Sequence, residues 1–309
     1  MHYTGTIWRP PYEAESLLLE ATAGCTHHRC RFCTLYQDIP FRMAPLRELE
    51  SDLQEAQLLA SDPIGKLSAR LQGLAEPEKI RRVFLVGANP FVLSPKRLEA
   101  IRELVGGYLP SCRTIGCFAR VTDIAAKTDG ELHRLGQLGY DGLTIGVETG
   151  DGQALAFMDK GYGPEDIVRE SLRLDEAGIS YHFFYLTGIS GAGRGREGAL
   201  ASADVFNRTR PRRIGASMLT VFPESRLYRD IQEGRWTEPG ELEKLEELAV
   251  LISRLDIPVW FAALGASNAV QLQGRLPEDR EALVSALARV CAPENESRLR
   301  AYREGLPHL

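Results

Sequence analysis

Ser16-Leu-Leu-Leu-Glu-Ala-Thr22 runs through Ala23-Gly24 directly into Cys25-Thr-His-His-Arg-Cys30-Arg-Phe-Cys33. A β-leaning apolar run therefore opens onto a polar loop that carries three of the chain's six cysteines. Five further runs of the same kind follow: Arg82–Gly87, Thr114–Arg120, Gly142–Thr149, Tyr181–Gly188 and Arg213–Phe222. Amphipathic stretches separate them, at Leu46–Ala60, Pro95–Leu109, Asp129–Leu138, Asp166–Ala177 and Gly195–Arg208. Gly139 and Gly178 follow two of these as helix stop signals. Strand–helix alternation of this regularity predicts parallel strands joined by crossover helices, with chemistry at the C-terminal strand ends. The expected fold is α/β, a partial (β/α)6 TIM-like barrel with a C-terminal helical extension; a doubly wound open sheet is the alternative. The domain reading is residues 1–235 as the barrel core and 236–309 as a mainly helical cap. Ser61–Lys79, with two prolines and two glycines, reads as a partly helical insertion.

The chain has 309 residues, 44% of them hydrophobic and 26% charged, enough for a sizeable core. A net charge of −5 weighs against nucleic acid or an anionic membrane as principal partner. No apolar run approaches the ~20 residues of a membrane helix. The N-terminal residues lack a signal-peptide pattern, so a cytoplasmic location is expected. In that reducing compartment a cysteine cluster reads as metal or cofactor ligands before disulfides. Three thiolates spaced C-x4-C-x2-C can hold three irons of a [4Fe–4S] cubane, which leaves the fourth iron open. A zinc site completed by His27 or His28 is the second reading, disfavoured because three ligands crowd into nine residues. Packed thiols without metal come third, given the polar flanks. Cys112, Cys117 and Cys291 show no sequence partners and read as structural. On the fifth run His182 and Tyr185 have opposite parity, so only one can face inward. The basic stretch Asn207–Arg213 reads as a solvated turn; Trp236, Trp260 and Asn268 could border a substrate, with apolar packing the default for the two tryptophans.

The cysteine loop after strand one, with Phe32 beside the last cysteine, resembles the radical S-adenosylmethionine (SAM) superfamily. The usual spacing there is C-x3-C-x2-C, so this chain carries one extra residue before Cys30. Other segments extend the resemblance. Gly87-Ala88-Asn89 stands where the family has a Gly-rich segment against the methionyl amine of SAM. Gly142-Leu-Thr-Ile-Gly146-Val-Glu148-Thr149-Gly150 is similar to a strand-four motif of the branch that contains Elongator-protein-3-like and oxygen-independent coproporphyrinogen-oxidase-like enzymes. Lys160, Leu186–Gly191 and Leu219–Tyr228 fit the same pattern.

The resemblance implies one [4Fe–4S] cluster on Cys25, Cys30 and Cys33, with SAM chelating the open iron. It implies SAM-binding roles for Phe32, Gly87, Ala88, Asn89, Arg120, Glu148 and Lys160. It also implies reductive cleavage of SAM to a 5′-deoxyadenosyl radical that acts on a small-molecule substrate, and an electron donor such as flavodoxin or ferredoxin. Two alternatives stay open: a non-catalytic iron–sulfur or zinc protein, and a cluster enzyme cleaving another SAM carbon–sulfur bond in aminocarboxypropyl transfer.

Overall fold

The computed structural model describes residues 1–61, 64, 67, 71 and 80–305. The expected insertion at Ser61–Lys79 lies largely outside these described residues. The chain forms two compact units. The first comprises Met1–His28, Tyr36–Thr144 and Glu176–Ser180; the second comprises Arg29–Leu35, Ile145–Asp175 and Tyr181–Leu309.

In the first unit, strands β1 (Leu17–Glu20), β4 (Arg82–Val86) and β5 (Thr114–Ala119) are parallel, in the order β1-β4-β5. A two-residue hairpin, β2 (Thr22–Ala23) with β3 (Arg42–Met43), follows β1. Among the described residues, the helices α1 (Leu46–Ser61), α2 (Pro95–Tyr108), α3 (Val121–Ala125) and α4 (Asp129–Gln137) accompany them. Their starts carry recognisable caps. The Ser94 hydroxyl accepts the Arg97 N–H just before Pro95, and Thr128 with Glu131 forms a capping box. Val83, Leu85, Ile115 and Cys117 are fully buried, together with Leu98, Leu132 and Leu135 of the helices. Burial of such aliphatic side chains, roughly 1.5–3 kcal/mol each, is what holds helix to sheet.

Strand β6 (Leu143–Glu148) begins in the first unit and ends in the second. The second unit contains β7 (Tyr181–Thr187), β8 (Arg213–Met218) and β9 (Val259–Ala263), parallel and in that order. Strand β10 (Leu272–Leu276) adds antiparallel to β9. Its helices are α5 (Gly152–Phe157), α6 (Pro164–Glu176), α7 (Gly195–Asn207), α8 (Arg226–Gln232), α9 (Glu241–Arg254), α10 (Arg280–Ala288) and α11 (Glu296–Glu304). Residues 236–309 thus contribute two strands besides their helices. The expected strand Arg213–Phe222 stops at Met218, and Ser225 caps α8 farther on.

Side-chain alternation along β7 is explicit. Phe183 and Tyr185 pack on Phe206 of α7, with ring centroids 5.1 and 6.1 Å apart, and the Tyr185 hydroxyl bonds Glu247 of α9. Tyr185 therefore faces the helices. His182, Phe184 and Leu186 occupy the opposite face, and Phe184 there is 37% exposed.

Candidate functional site

The first half of the cysteine loop belongs to the first unit. Gly24 launches it at φ +69, where a Cβ would lie 2.5–2.7 Å from backbone atoms of Ile39 and Pro40, so only glycine fits. Cys25 is half-buried. Next to it, Thr26 is tied to Asn89: the Asn89 Nδ2 donates to Thr26 Oγ1 at 2.9 Å, and the Thr26 N–H reaches Asn89 Oδ1 at 3.5 Å. The same Nδ2 donates to both oxygens of Asp123 at 3.1 Å, and Asp123 also accepts the Arg120 N–H at 2.8 Å. Asn89 is fully buried, so its amide is already engaged in bracing the loop. Burial raises the Asp123 carboxyl pKa and lowers that of the Lys127 ammonium, whose Nζ bonds the Phe91 and Asp123 carbonyls.

Gly87, where β4 ends, has φ +118, and a Cβ there would fall 2.1 Å from the Thr22 carbonyl oxygen. The Thr22 hydroxyl beside it is buried without a hydrogen-bond partner among the described residues. Ala88 is half-buried. Arg120, also half-buried, directs Nη1 to the Thr122 hydroxyl at 3.0 Å.

The second half of the loop belongs to the second unit. His28, the last residue before it, is left-handed at φ +50. The Arg29 carbonyl then accepts Arg226 Nη1 at 2.9 Å. The Arg31 N–H donates to the Met158 carbonyl at 3.1 Å, and its carbonyl accepts the Leu227 N–H at 2.8 Å. Arg31 Nη1 reaches both oxygens of Asp230, at 3.1 and 2.8 Å. Burial opposes ionisation of Asp230, yet its bonds from Arg235 and Arg31 hold the carboxyl below its ordinary range. The Cys33 N–H closes a turn onto the Cys30 carbonyl at 3.3 Å. Phe32, between the two, packs on a cluster that includes Met158, Leu186, Ile189 and Trp236.

Glu148 ends β6 in the left-handed region, φ +65, where a side chain other than glycine, Asn or Asp is uncommon. Its Oε1 bonds Lys160 Nζ at 3.1 Å, with both side chains over nine-tenths buried. Its Oε2 is buried without a hydrogen-bond partner among the described residues. Lys160 also lies 5.7 Å from the Phe32 ring centroid and 5.5 Å from that of Tyr162. Gly146 makes the room: a Cβ there would meet Glu148 Oε1 at 2.7 Å. The structure thus brings Phe32, Glu148 and Lys160 together, and separately brings Asn89 to the loop residue after Cys25. Sequence reading missed Arg31, Asp123, Asp230, Gly146 and Tyr162. Glycine inside the β6 run was an available signal for the room that Glu148 occupies; the aspartates carry none in isolation.

None of the six cysteines is joined in a disulfide. Cys117 is fully buried, and burial raises its thiol pKa, as expected of a packing residue. Among the described residues no group of three His, Cys, Asp or Glu side chains stands ready-made for a metal ion, so the ligand assignment rests on donor chemistry and spacing. Arg208 of the basic stretch pairs with Glu165 at 2.7 Å on the surface. Asn268 donates to the Ala216 carbonyl at 3.0 Å, while Trp236 is buried in the apolar cluster around Phe32. No helix among the described residues is long and apolar enough to cross a membrane.

The sequence profile of the Radical SAM superfamily matches residues 19–193. No curated protein matches the chain. Among solved structures, coproporphyrinogen III oxidase (HemN) from Escherichia coli, a radical SAM enzyme, is similar with a TM-score of 0.55 and 15% identity over 78% of this chain and 52% of that one. The radical SAM methyltransferase TsrM from Kitasatospora setae, solved with its tryptophan substrate and a SAM analogue, is similar with a TM-score of 0.53 and 21% identity over 74% of this chain and 41% of TsrM. The chain therefore spans about half the length of these structures or less and shares the TIM-like partial-barrel fold. With more than half of its residues inside the matched profile and the cysteine loop at the end of β1, the chain belongs to the radical SAM superfamily, whose enzymes use a [4Fe–4S] cluster and SAM.

Proposed function

We propose that Cys25, Cys30 and Cys33 hold three irons of one [4Fe–4S] cluster and leave the fourth to SAM. The donor set supports this: three soft thiol ligands on one loop, half-buried and outside any disulfide. When bound and reduced, the cluster supplies the electron that splits SAM into methionine and a 5′-deoxyadenosyl radical, which takes a hydrogen atom from the substrate.

The chain's own residues bind, orient and shield. Gly87, where a Cβ would collide with the Thr22 carbonyl, and Ala88, with only a methyl group, are proposed to let the ligand approach the backbone. Glu148 carries the reading furthest. A buried carboxylate oxygen without a partner costs free energy unless a ligand donor satisfies it, and a SAM hydroxyl or ammonium group is such a donor. Lys160 holds that carboxylate in place through its 3.1 Å bond to Oε1, and Phe32 covers the ammonium of Lys160. Arg120 is proposed for the SAM carboxylate. Asn89 acts through Thr26, as a positioning residue. Residues 1–235 are proposed as the catalytic core, with substrate-side residues drawn from 236–309. The substrate is proposed to be a small molecule, and the electron donor a flavodoxin or ferredoxin.

The test is SAM binding by the anaerobically reconstituted protein and its Glu148→Gln variant. At least tenfold weaker binding with iron content unchanged is expected. Equal affinity would return Glu148 to a purely structural role.

A further inference from the structure

Two buried aspartates outside the proposed SAM contacts each brace one half of the cysteine loop. Asp123 lies on α3 of the first unit, is 3% exposed, and holds the Asn89 amide that ties down Thr26, one residue after Cys25. Asp230 lies on α8 of the second unit, is 1% exposed, and holds Arg31, one residue after Cys30. Arg31 is fixed by its backbone as well, through the Met158 carbonyl and the Leu227 N–H, while its guanidinium lies 4.9 Å from the Phe157 ring centroid. Between the braced segments stands His28, left-handed at φ +50. A non-glycine residue persists in that conformation where its surroundings over-determine it. The loop also has one residue more than the usual spacing before Cys30.

We propose that Asp123 and Asp230 are positioning residues for the cluster loop, each acting on its own half. This rests on the reading of Cys25, Cys30 and Cys33 as cluster ligands. Cluster retention requires three thiolates at fixed mutual spacing, and a loop held at only one end loses that spacing without losing its cysteines.

Backbone amide exchange of the iron-free chain, measured by NMR, tests the braces without relying on the cluster. Asp230→Asn should speed exchange at Arg31 and Leu227 at least tenfold and leave Arg120 and Thr26 unchanged. Asp123→Asn should do the reverse. Arg31→Leu and Thr26→Val remove the same braces from the loop side, should either aspartate variant unfold. In the reconstituted protein each single variant should lose iron to a chelator at least fivefold faster than wild type, and the double variant by the product of the two factors. Equal loosening of both halves by either variant, or unchanged exchange and iron loss in all of them, would overturn the proposal. Wild-type protein that holds no iron would instead refute the cluster reading, while the exchange experiment would still report on the braces.

Discussion

Replacing Lys160 by methionine preserves most of the apolar stem against the Phe32 and Tyr162 rings and removes the ammonium group. Glu148 Oε1 then loses its 3.1 Å bond, and Oε2 has no partner to begin with. The side chains are 5% and 9% exposed, so water offers little replacement. Removing one member of a buried pair costs about 3–5 kcal/mol, because the remaining charge is stranded. The slight exposure and an apolar replacement of similar shape argue for the lower end, about 3 kcal/mol. At about 2 °C per kcal/mol for a chain of this size, the melting temperature should fall by roughly 6 °C. Glu148→Gln alone should cost less, about 1–2 kcal/mol, since an amide oxygen still accepts from Lys160. The double variant should be more stable than the sum of the single losses by about 1–2 kcal/mol, the signature of directly interacting residues. Urea unfolding of the four iron-free proteins measures all three quantities. A loss below about 1 kcal/mol for Lys160→Met, or strict additivity in the double variant, would refute the argument that this pair is buried and interdependent.

Gly87→Ala places a Cβ 2.1 Å from the Thr22 carbonyl at φ +118, so it should destabilise the chain by about 3 kcal/mol or more and weaken SAM binding; calorimetry and a binding titration check it. Burial raises the pKa of Glu247, against its bonds from Tyr185 and the Gly188 N–H, to about 8. A raised carboxylate pKa stabilises the fold fully below the unfolded value near 4.5, and that contribution is lost as pH rises toward 8. Stability should therefore fall between about pH 5 and 8, by at most ~1.4 kcal/mol per pH unit, and Glu247→Gln should flatten the slope in denaturation series. His28→Gly should leave stability within about 0.5 kcal/mol of wild type, whereas His28→Val, β-branched in the left-handed region, should cost about 1–2 kcal/mol by the same measurement.

Periodicity and stop signals made the β/α alternation legible, because strands covered on both faces must be apolar throughout and helices must carry a stripe. Strand β10 was not legible: Leu272-Gln-Gly-Arg-Leu276 alternates buried and exposed over only five residues, with polar groups on its open side. The cysteine loop announced itself by spacing, and Glu148 and Lys160 by their place in a resembling motif. The sequence held no sign that Asn89 is sealed against Asp123, since Asn89 and Asp123 are 34 residues apart. Nor did it reveal Asp230, 199 residues beyond the arginine it binds. The His182 and Tyr185 alternatives were resolved by the helix side of β7, which takes Tyr185.

The central claim is reductive cleavage of SAM to a 5′-deoxyadenosyl radical at an iron–sulfur cluster with one open iron, and nucleoside analysis tests it most directly. The anaerobically reconstituted protein, reduced and given SAM, should release 5′-deoxyadenosine only in the presence of reductant, and Cys30→Ala should release none. Methylthioadenosine as the sole product, or undiminished 5′-deoxyadenosine from Cys30→Ala, would contradict it.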